Sequence, residues 1–581
     1  MNGAVLLAVV TACFAAGYFI YAKRLERKLG VDPSVPTPAH AKRDGIDFVP
    51  AHPAVLFGHH FASIAGAGPI VGPVLAAEFG WLPTVLWIVF GCIFIGAAHD
   101  MTALFLSVRH GGESIGSVIG TVLGKCGKTL FLLFGLSALI LVVAEFTRQI
   151  AGTFVADPAV ATASTLFIGE AILFGLCVNR FKISVLAASL VFVPLMFASV
   201  WVGETYPLDL AKAGLSPEAV RTVWILGLLF YCFCASTCPV WILLQPRDYL
   251  NSYLLYAMML FGFLGVFVAH PALSTDAFAG FSAIGRSGAT DWLFPFLFVT
   301  VACGACSGFH SLVASGTTAK QLDSEKNIRP VAYGGMLLEG VLATVAIVGV
   351  AGTYACQADY TAAIKTMEPV QMFASTIAGF CVKIGIPSRV AESFMLLSVA
   401  AFLLTTIDSG TRLARFSWQE LVGGSQEPGA AAPAPGPARR FACNMYVATA
   451  VVVGIVAALL LGAVETSRQL WTIFASANQL LAALTLLTAT LWFVRNRKPC
   501  LASAIPMAFM FCVSSLALGM LAWKSFAGEK KDFVRGGATL FLLALAAVLA
   551  VLAVRFVLRE RKARAAASGG ARADWTDGAA R

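Results

Sequence analysis

Apolar stretches of about 20 residues, the length a helix needs to cross a hydrocarbon core about 30 Å thick, recur from Gly3 to Leu558. By this criterion the chain holds about fifteen of them. Backbone polar groups cannot be left bare in lipid, and the runs lack the alternation of a barrel strand, so each span is a helix. The predicted fold is therefore all-α, a polytopic integral membrane protein. Composition agrees: 58% of the 581 residues are hydrophobic and 12% charged, far from a soluble chain.

A net charge of +10 raises the question of nucleic acid, but the Lys and Arg residues form no single patch with interleaved aromatics. They gather in loops. With Met1 outside, the loops holding Lys23 to Arg43, Arg180 to Lys182, Lys320 to Arg329, Arg412 to Arg440 and Arg495 to Lys498, and the tail from Arg555, all fall on one face. That face carries about 29 of the 41 basic residues, as the positive-inside rule requires. The N-terminus is thus expected outside and the C-terminus in the cytoplasm. The first run, Gly3 to Ile20, has its basic cluster after it, the wrong polarity for a cleaved signal peptide.

Five regions follow: residues 1–50, a first helix and basic loop; 51–421, a ten-helix transport core; 422–440, a Pro/Ala/Gly linker; 441–560, four further helices; and 561–581, a disordered tail. Nearly all of the fourteen cysteines lie within spans, where they act as small packing residues. Cys356 and Cys381 share one outer loop, so a disulfide there is an expectation to be checked. The same loop carries Val370, Phe373, Ile377 and Phe380 at helical spacing, an amphipathic helix that either lies at the surface or folds over the pore.

Span 2 runs Gly58-His59-His60-Phe61 into Gly66-Ala67-Gly68-Pro69 and on to Pro73. Two prolines and several glycines argue for an unwound stretch near Ala65 to Gly68, tolerable at membrane depth only inside protein or beside a wet cavity. A half-helix restarting at Gly68 would direct N–H groups at an anion. Span 7 holds a second irregularity, Cys234-Ala235-Ser236-Thr237-Cys238-Pro239. Two interrupted helices five spans apart predict an inverted repeat of five plus five helices, spans 2–6 and 7–11. In span 9, Ser307, Ser311 and Ser315 share a face, while Gly304 and Gly308 at four-residue spacing suit close helix packing. The hydroxyls are also candidates to hold a solute or a sodium ion. Cys303 and Cys306 resemble a metal pair, but no second pair accompanies them. No metal and no cofactor is expected.

Ionisable groups in spans cost about 2.5 to 3.5 kcal/mol each at mid-bilayer, so they need partners. His99 and Asp100, Glu145 with Arg148, Glu170, His310 and Glu339 qualify. Glu145 and Arg148, three apart, suit mutual pairing. His59 and His60 point about 100° apart on a helix and are unsuited to one metal. A histidine on such a break serves either as a hydrogen-bonding brace or as a proton carrier. In Gln245-Pro246-Arg247-Asp248-Tyr249-Leu250-Asn251, Arg247 and Asp248 suit a cytoplasmic ion-pair gate, and Pro246 a helix stop.

At these residues the sequence resembles the carbon starvation protein A (CstA) family. The motifs are Gly58-His59-His60-Phe61 with Gly66-Ala67-Gly68-Pro69, Ala98-His99-Asp100, Cys238-Pro239-Val240-Trp241 leading to Gln245 through Asn251, Gly304 through His310 with Ala314-Ser315-Gly316-Thr317-Thr318, and Ala477-Asn478-Gln479-Leu480. The resemblance implies a bacterial inner-membrane uptake system of carbon limitation, associated with pyruvate or peptides, proton-coupled, and akin to the amino acid-polyamine-organocation transporters.

The expectation is then a secondary transporter importing a small carboxylate by proton symport, with peptide uptake as the alternative and a nutrient receptor or channel ranked lower. Gly66, Ala67, Gly68, Ser236, Thr237, Ser307 and Ser311 are the predicted solute contacts, and His59, His60, Asp100 and His310 the predicted proton groups. Membrane lipid, a small organic solute and a coupling ion are its expected partners; nucleic acid is not. The ion is a proton, with sodium as the alternative. No convergent nucleophile or acid–base set marks an enzyme, and the oligomeric state is open.

Overall fold

A computed structural model describes residues 1–45, 48–239, 241–286, 290–423, 436–462, 469–528 and 531–573, with side chains to 563. Among them stand fourteen helical spans long and apolar enough to cross a membrane, and one bent pair. In chain order these are α1 (Gly3–Leu29), α2a (Pro53–Ile64) with α2b (Gly68–Phe79), α3 (Trp81–Arg109), α4 (Ile115–Ala156), α5 (Pro158–Asn179), α6 (Val185–Ala213), α7 (Pro217–Thr237), α8 (Leu244–Ala269), α9 (Leu293–Gln321), α10 (Glu325–Thr353), α11 (Ser388–Gly423), α12 (Met445–Gly462), α13 (Leu470–Arg495), α14 (Leu501–Ala527) and α15 (Phe533–Ala563).

The packing repeats itself. α2a lies on α8 as the second half of α9 lies on α13. α4 packs on α7 and α13, and in the same way α11 packs on α12 and α8. α4 and α11 share the most extensive interface, α3 meets α10, and α2b meets the first half of α9. Helices α2, α3, α4, α7 and α8 thus correspond in turn to α9 through α13. Helix α9 is the seventh span after α2, an odd offset, so the two sets run in opposite senses across the membrane. The α5–α6 hairpin stands between α4 and α7 in the chain and has no counterpart.

This arrangement corrects the predicted placement of the second interruption. Helix α7 is continuous to Thr237, and Cys238 adopts φ −71° and ψ 149°, as a residue before proline must. Cys238-Pro239 therefore ends a span instead of breaking one. Pro246 sits in the first turn of α8, where its missing N–H costs nothing. The true second break is in α9, where Ala302 has φ 43° and ψ −117° and helix resumes at Gly308. Helices α12 and α13, expected outside the repeat, pack within it.

Between α10 and α11 the predicted amphipathic helix runs Pro369–Val382, with Val370, Phe373, Ile377 and Phe380 all buried. It lies on α2b, α8, α10 and α11. Its apolar stripe is spent on protein. Cys381 is buried on this inner face whereas Cys356 is exposed, and both are free thiols, so the expected disulfide is not formed. The last helix continues to Ala573, correcting the first half of the expected disordered tail: Arg, Lys and Ala are strong helix formers. Residues 574–581 and linker residues 424–435 lie outside the described residues.

Candidate functional site

Helix α2a ends at Ile64, Ala65 takes φ −74° and ψ 65°, and α2b restarts at Gly68 after a 44° bend. Pro69 falls in its first turn, where a proline is accommodated. Every residue from His60 to Val74 is buried. The α9 break faces it. A Cβ on Gly68 would lie 2.4 Å from Cys303 Cβ, one on Gly72 2.4 Å from Val301 O, and one on Gly96 of α3 2.3 Å from Ala305 O. Gly72 and Gly96 leave room for the backbone of the α9 break to approach, and Gly68 leaves room for the Cys303 side chain. The Gly66 N–H, an expected anion donor, returns to Ile64 O at 2.8 Å. Around Gly66 stand Thr406 Oγ1 of α11 and the Phe146 ring of α4.

Directly behind the α9 break lies a fully buried cluster from three helices. Asp100 Oδ1 is 2.7 Å from His99 Nδ1, and Asp100 Oδ2 is 2.7 Å from His310 Nδ1. The other nitrogen of His310 faces Glu339 Oε2 of α10 at 3.3 Å. His310 therefore bridges two carboxylates, an arrangement in which one ring can pass a proton from one side to the other. His60 Nδ1 meets Thr318 Oγ1 at 2.8 Å, while His59 turns the other way to Asp248 Oδ2 at 3.3 Å, as their angular separation requires.

The rest of the α9 break is held by α13. Asn478 Oδ1 accepts from the Phe309 N–H at 2.8 Å, and its Nδ2 donates to Ser307 Oγ at 3.0 Å. Ser311 Oγ pairs with Thr485 Oγ1 at 2.9 Å. The Cys303, His310 and Glu339 donor atoms lie within 4.8 Å of one another, but the thiol is engaged by Ser307 Oγ and Asn478 Nδ2, each at 3.3 Å. Ser236 and Thr237 are not brought to the first break. The Ser236 hydroxyl meets Thr449 Oγ1 at 3.2 Å and Thr237 Oγ1 donates to Phe233 O at 2.9 Å, because both end the unbroken α7.

Two charged clusters flank the breaks. Toward the face of the basic loops, Arg247 is fully buried and pairs with Asp408 of α11 and Tyr231 of α7, with Asp248 Oδ1 at 3.6 Å. Toward the opposite face, Arg148 binds Glu145 at 2.8 Å and Arg286 binds Glu368 at 2.8 Å. Glu368 caps the Pro369–Val382 helix in a reciprocal pairing with Gln371. Burial raises its carboxyl, yet the guanidinium groups of Arg148, Arg286 and Arg221 outweigh that and hold it below the usual range.

Sequence reasoning left Asp408, Tyr231, Thr406 and Asn478 out of the site. Asp408 was findable, since it is an ionisable residue within an apolar run. The other three are ordinary polar residues whose roles depend on which helices pack.

The family model described as carbon starvation protein CstA matches residues 2–356 and 350–517. A protein named peptide transporter CstA from Bacillus subtilis (strain 168) is 32% identical over 89% of this chain and 90% of its own length. The protein of that name from Escherichia coli (strain K12) is 31% identical, covering 91% and 82%. From the same organism, the pyruvate/proton symporter BtsT is 29% identical over 87% and 80%. Among solved structures, MhsT in complex with L-phenylalanine aligns over 88% of this chain and 98% of its own with 11% identity and a TM-score of 0.44. With a family model spanning most of its length and relatives matched nearly end to end, the chain belongs to the carbon starvation protein CstA family.

Proposed function

We propose that this multi-pass membrane protein is a secondary active transporter that imports a small carboxylate such as pyruvate by proton symport. The observation that carries the reading is the His310 ring set between Asp100 and Glu339, sealed in protein beside two helix breaks that abut. Breaks of this kind expose main-chain groups where a solute can bind, and a histidine between carboxylates is a proton site within reach of them. Asp100 and His310 carry the proton in this reading, and Glu339 joins them. His60 braces α9 through Thr318, and His59 belongs to the gate.

The solute lies near Ala67, Gly68 and Thr406, with Ser307 and Ser311 shaping the α9 side. Arg247 and Asp248, closed by Asp408, form the gate toward the face of the basic loops. That face is cytoplasmic by the charge rule, which places the N-terminus outside the bacterial inner membrane and the C-terminus in the cytoplasm. A proton couples the transport, sodium being the alternative ion. Small carboxylate is preferred to peptide as substrate because the breaks are tightly enclosed, while the names of several relatives favour peptide uptake.

Proteoliposomes with an imposed inward proton gradient test the proposal. Pyruvate accumulation that follows the proton gradient and ignores a sodium gradient supports it. Uptake of dipeptide without pyruvate transfers the assignment to the second reading, and uptake that saturates without following any gradient removes symport.

A further inference from the structure

Three guanidinium groups and two carboxylates share the half-buried cluster on the face of the Pro369–Val382 helix. Both carboxylates are committed. Glu145 receives Arg148 Nη2 at 2.8 Å, Arg148 Nε at 3.1 Å and Gln149 Nε2 at 2.7 Å. Glu368 receives Arg286 Nη1 at 2.8 Å and lies 4.0 Å from Arg148 Nη1.

The third cation, Arg221, stands near the start of α7. Its Nη2 lies 3.2 Å from where a Cβ on Gly152 would be, one helical turn along α4 from Arg148. Among the described residues it has no carboxylate within 4.0 Å, and its buried Nε has no hydrogen-bond partner. The cluster therefore keeps one surplus positive charge on a planar donor that is only partly buried.

The position matters as much as the charge. Glu145 adjoins Phe146, whose ring touches the first break at Gly66. Phe146 meets Phe474 at 5.4 Å between ring centroids, and Phe474 meets Trp471 at 5.4 Å. Phe146, beside Glu145 in the chain, thus links the helix that carries the cluster to the break.

We infer that Arg221 is a receiving site for the carboxylate of the solute, occupied before the solute passes the Phe146–Phe474 pair. The inference rests on the transport reading for its place in a pathway, but its chemistry is independent of which carboxylate is moved. A guanidinium fork takes a carboxylate through two parallel N–H···O bonds. One monoanion neutralises the surplus without breaking either existing ion pair, whereas an amide or ester of the same shape accepts hydrogen bonds from the cation but leaves its charge unneutralised.

The test uses the full chain in detergent and in liposomes, with acetate, pyruvate, pyruvamide and alanyl-alanine as probes. Calorimetric binding of pyruvate and acetate by the wild type, none of pyruvamide, and about a tenfold loss in Arg221→Gln with a smaller loss in Arg221→Lys are expected. In uptake, Arg221→Gln raises KM and leaves the maximal rate unchanged. Arg389→Gln, which alters an exposed arginine paired with Glu204 on the same face, controls for general electrostatics and changes neither.

Equal binding by wild type and Arg221→Gln overturns the inference, as does an equal loss in Arg389→Gln or failure of the wild type to bind any carboxylate. Binding of alanyl-alanine alone, lost in Arg221→Gln, keeps the receiving site and removes the small-carboxylate reading. Should Arg221→Gln fail to fold, phenylglyoxal modification of the wild type, read by mass spectrometry, decides. Protection of Arg221 by pyruvate or alanyl-alanine supports the site, and modification unaffected by either contradicts it.

Discussion

The two charged clusters that flank the helix breaks use the same residue types to opposite ends. Toward the basic loops, Arg247 and Asp408 are wholly buried and bonded to each other and to Tyr231. Toward the other face, Arg148, Arg286 and Glu368 all reach solvent, and Arg221 is left over. A buried pair resists opening because separating it strands a charge in low dielectric. A solvent-touching pair opens at little cost. On the proposed transport reading, the difference makes one seal firm and the other light, with the cluster of Asp100, His310 and Glu339 between them.

The largest expected effect comes from removing what lies between the clusters. Asp100→Asn and His310→Gln should each lower proton-driven accumulation by about 10²-fold or more, the usual contribution of a positioned proton-transfer group. Concentrative uptake in proteoliposomes checks it, and either variant at wild-type level contradicts the assignment.

Next comes the firm seal. Asp408→Asn leaves the buried Arg247 guanidinium without its nearest carboxylate and should cost about 3 to 5 kcal/mol of stability, read as a fall in the thermal unfolding midpoint in detergent. The double change Arg247→Met with Asp408→Leu should regain much of that stability, as buried pairs replaced by apolar groups often do, without regaining transport. If the single variant unfolds like the wild type, the contrast between the clusters is lost.

Gly68→Val tests the contact between the breaks. Its side chain meets Cys303, and overpacking of this kind costs about 1 to 3 kcal/mol. Uptake should fall in step, and Cys303→Gly, which removes both the Cβ and the Sγ that the new side chain meets, should partly restore it.

The light seal should respond least. Glu368→Gln weakens a partly exposed pairing by about 0.2 to 1 kcal/mol. The folded carboxyl is held below its ordinary 4.5, so its contribution is present above that value and fades as pH falls through the lower folded one. Stability should therefore show no Glu368-dependent change between about pH 5 and 8, and a loss only in stronger acid. A Glu368-dependent step near neutral pH would show that the pairing is not as drawn.

Much of this was legible from residues alone. The apolar runs located every span, since lipid imposes length and hydropathy directly. Gly66, Gly68 and Pro69 located the first break, because glycine and proline act locally on the backbone. The second break was not legible. Cys303-Gly304-Ala305-Cys306-Ser307-Gly308 reads equally as a close-packed helix face, and only its opposition to α2b and the Asn478 bond to the Phe309 N–H resolve it. Ser236 and Thr237 misled for a related reason. A proline after a polar pair marks a helix end as readily as a mid-membrane break, and the difference of a few residues in span length decides which.

Asp100 was legible as an in-span charge in need of a partner, and the structure supplies His310 from 210 positions away. Sequence shows that a buried charge needs a partner; the fold names it. Glu339 was singled out as an in-span carboxylate but not as a site residue, since nothing in the order of the chain places α10 against the histidine of α9.

The central claim is that a proton bound at Asp100, His310 and Glu339 travels with the solute. Purified protein in liposomes loaded with a pH-sensitive dye tests it most directly, with pyruvate added outside and no imposed gradient. The wild type should show pyruvate-dependent acidification of the interior, and Asp100→Asn none even where pyruvate exchange persists. Pyruvate entry without acidification by the wild type, or acidification undiminished in Asp100→Asn, would contradict it.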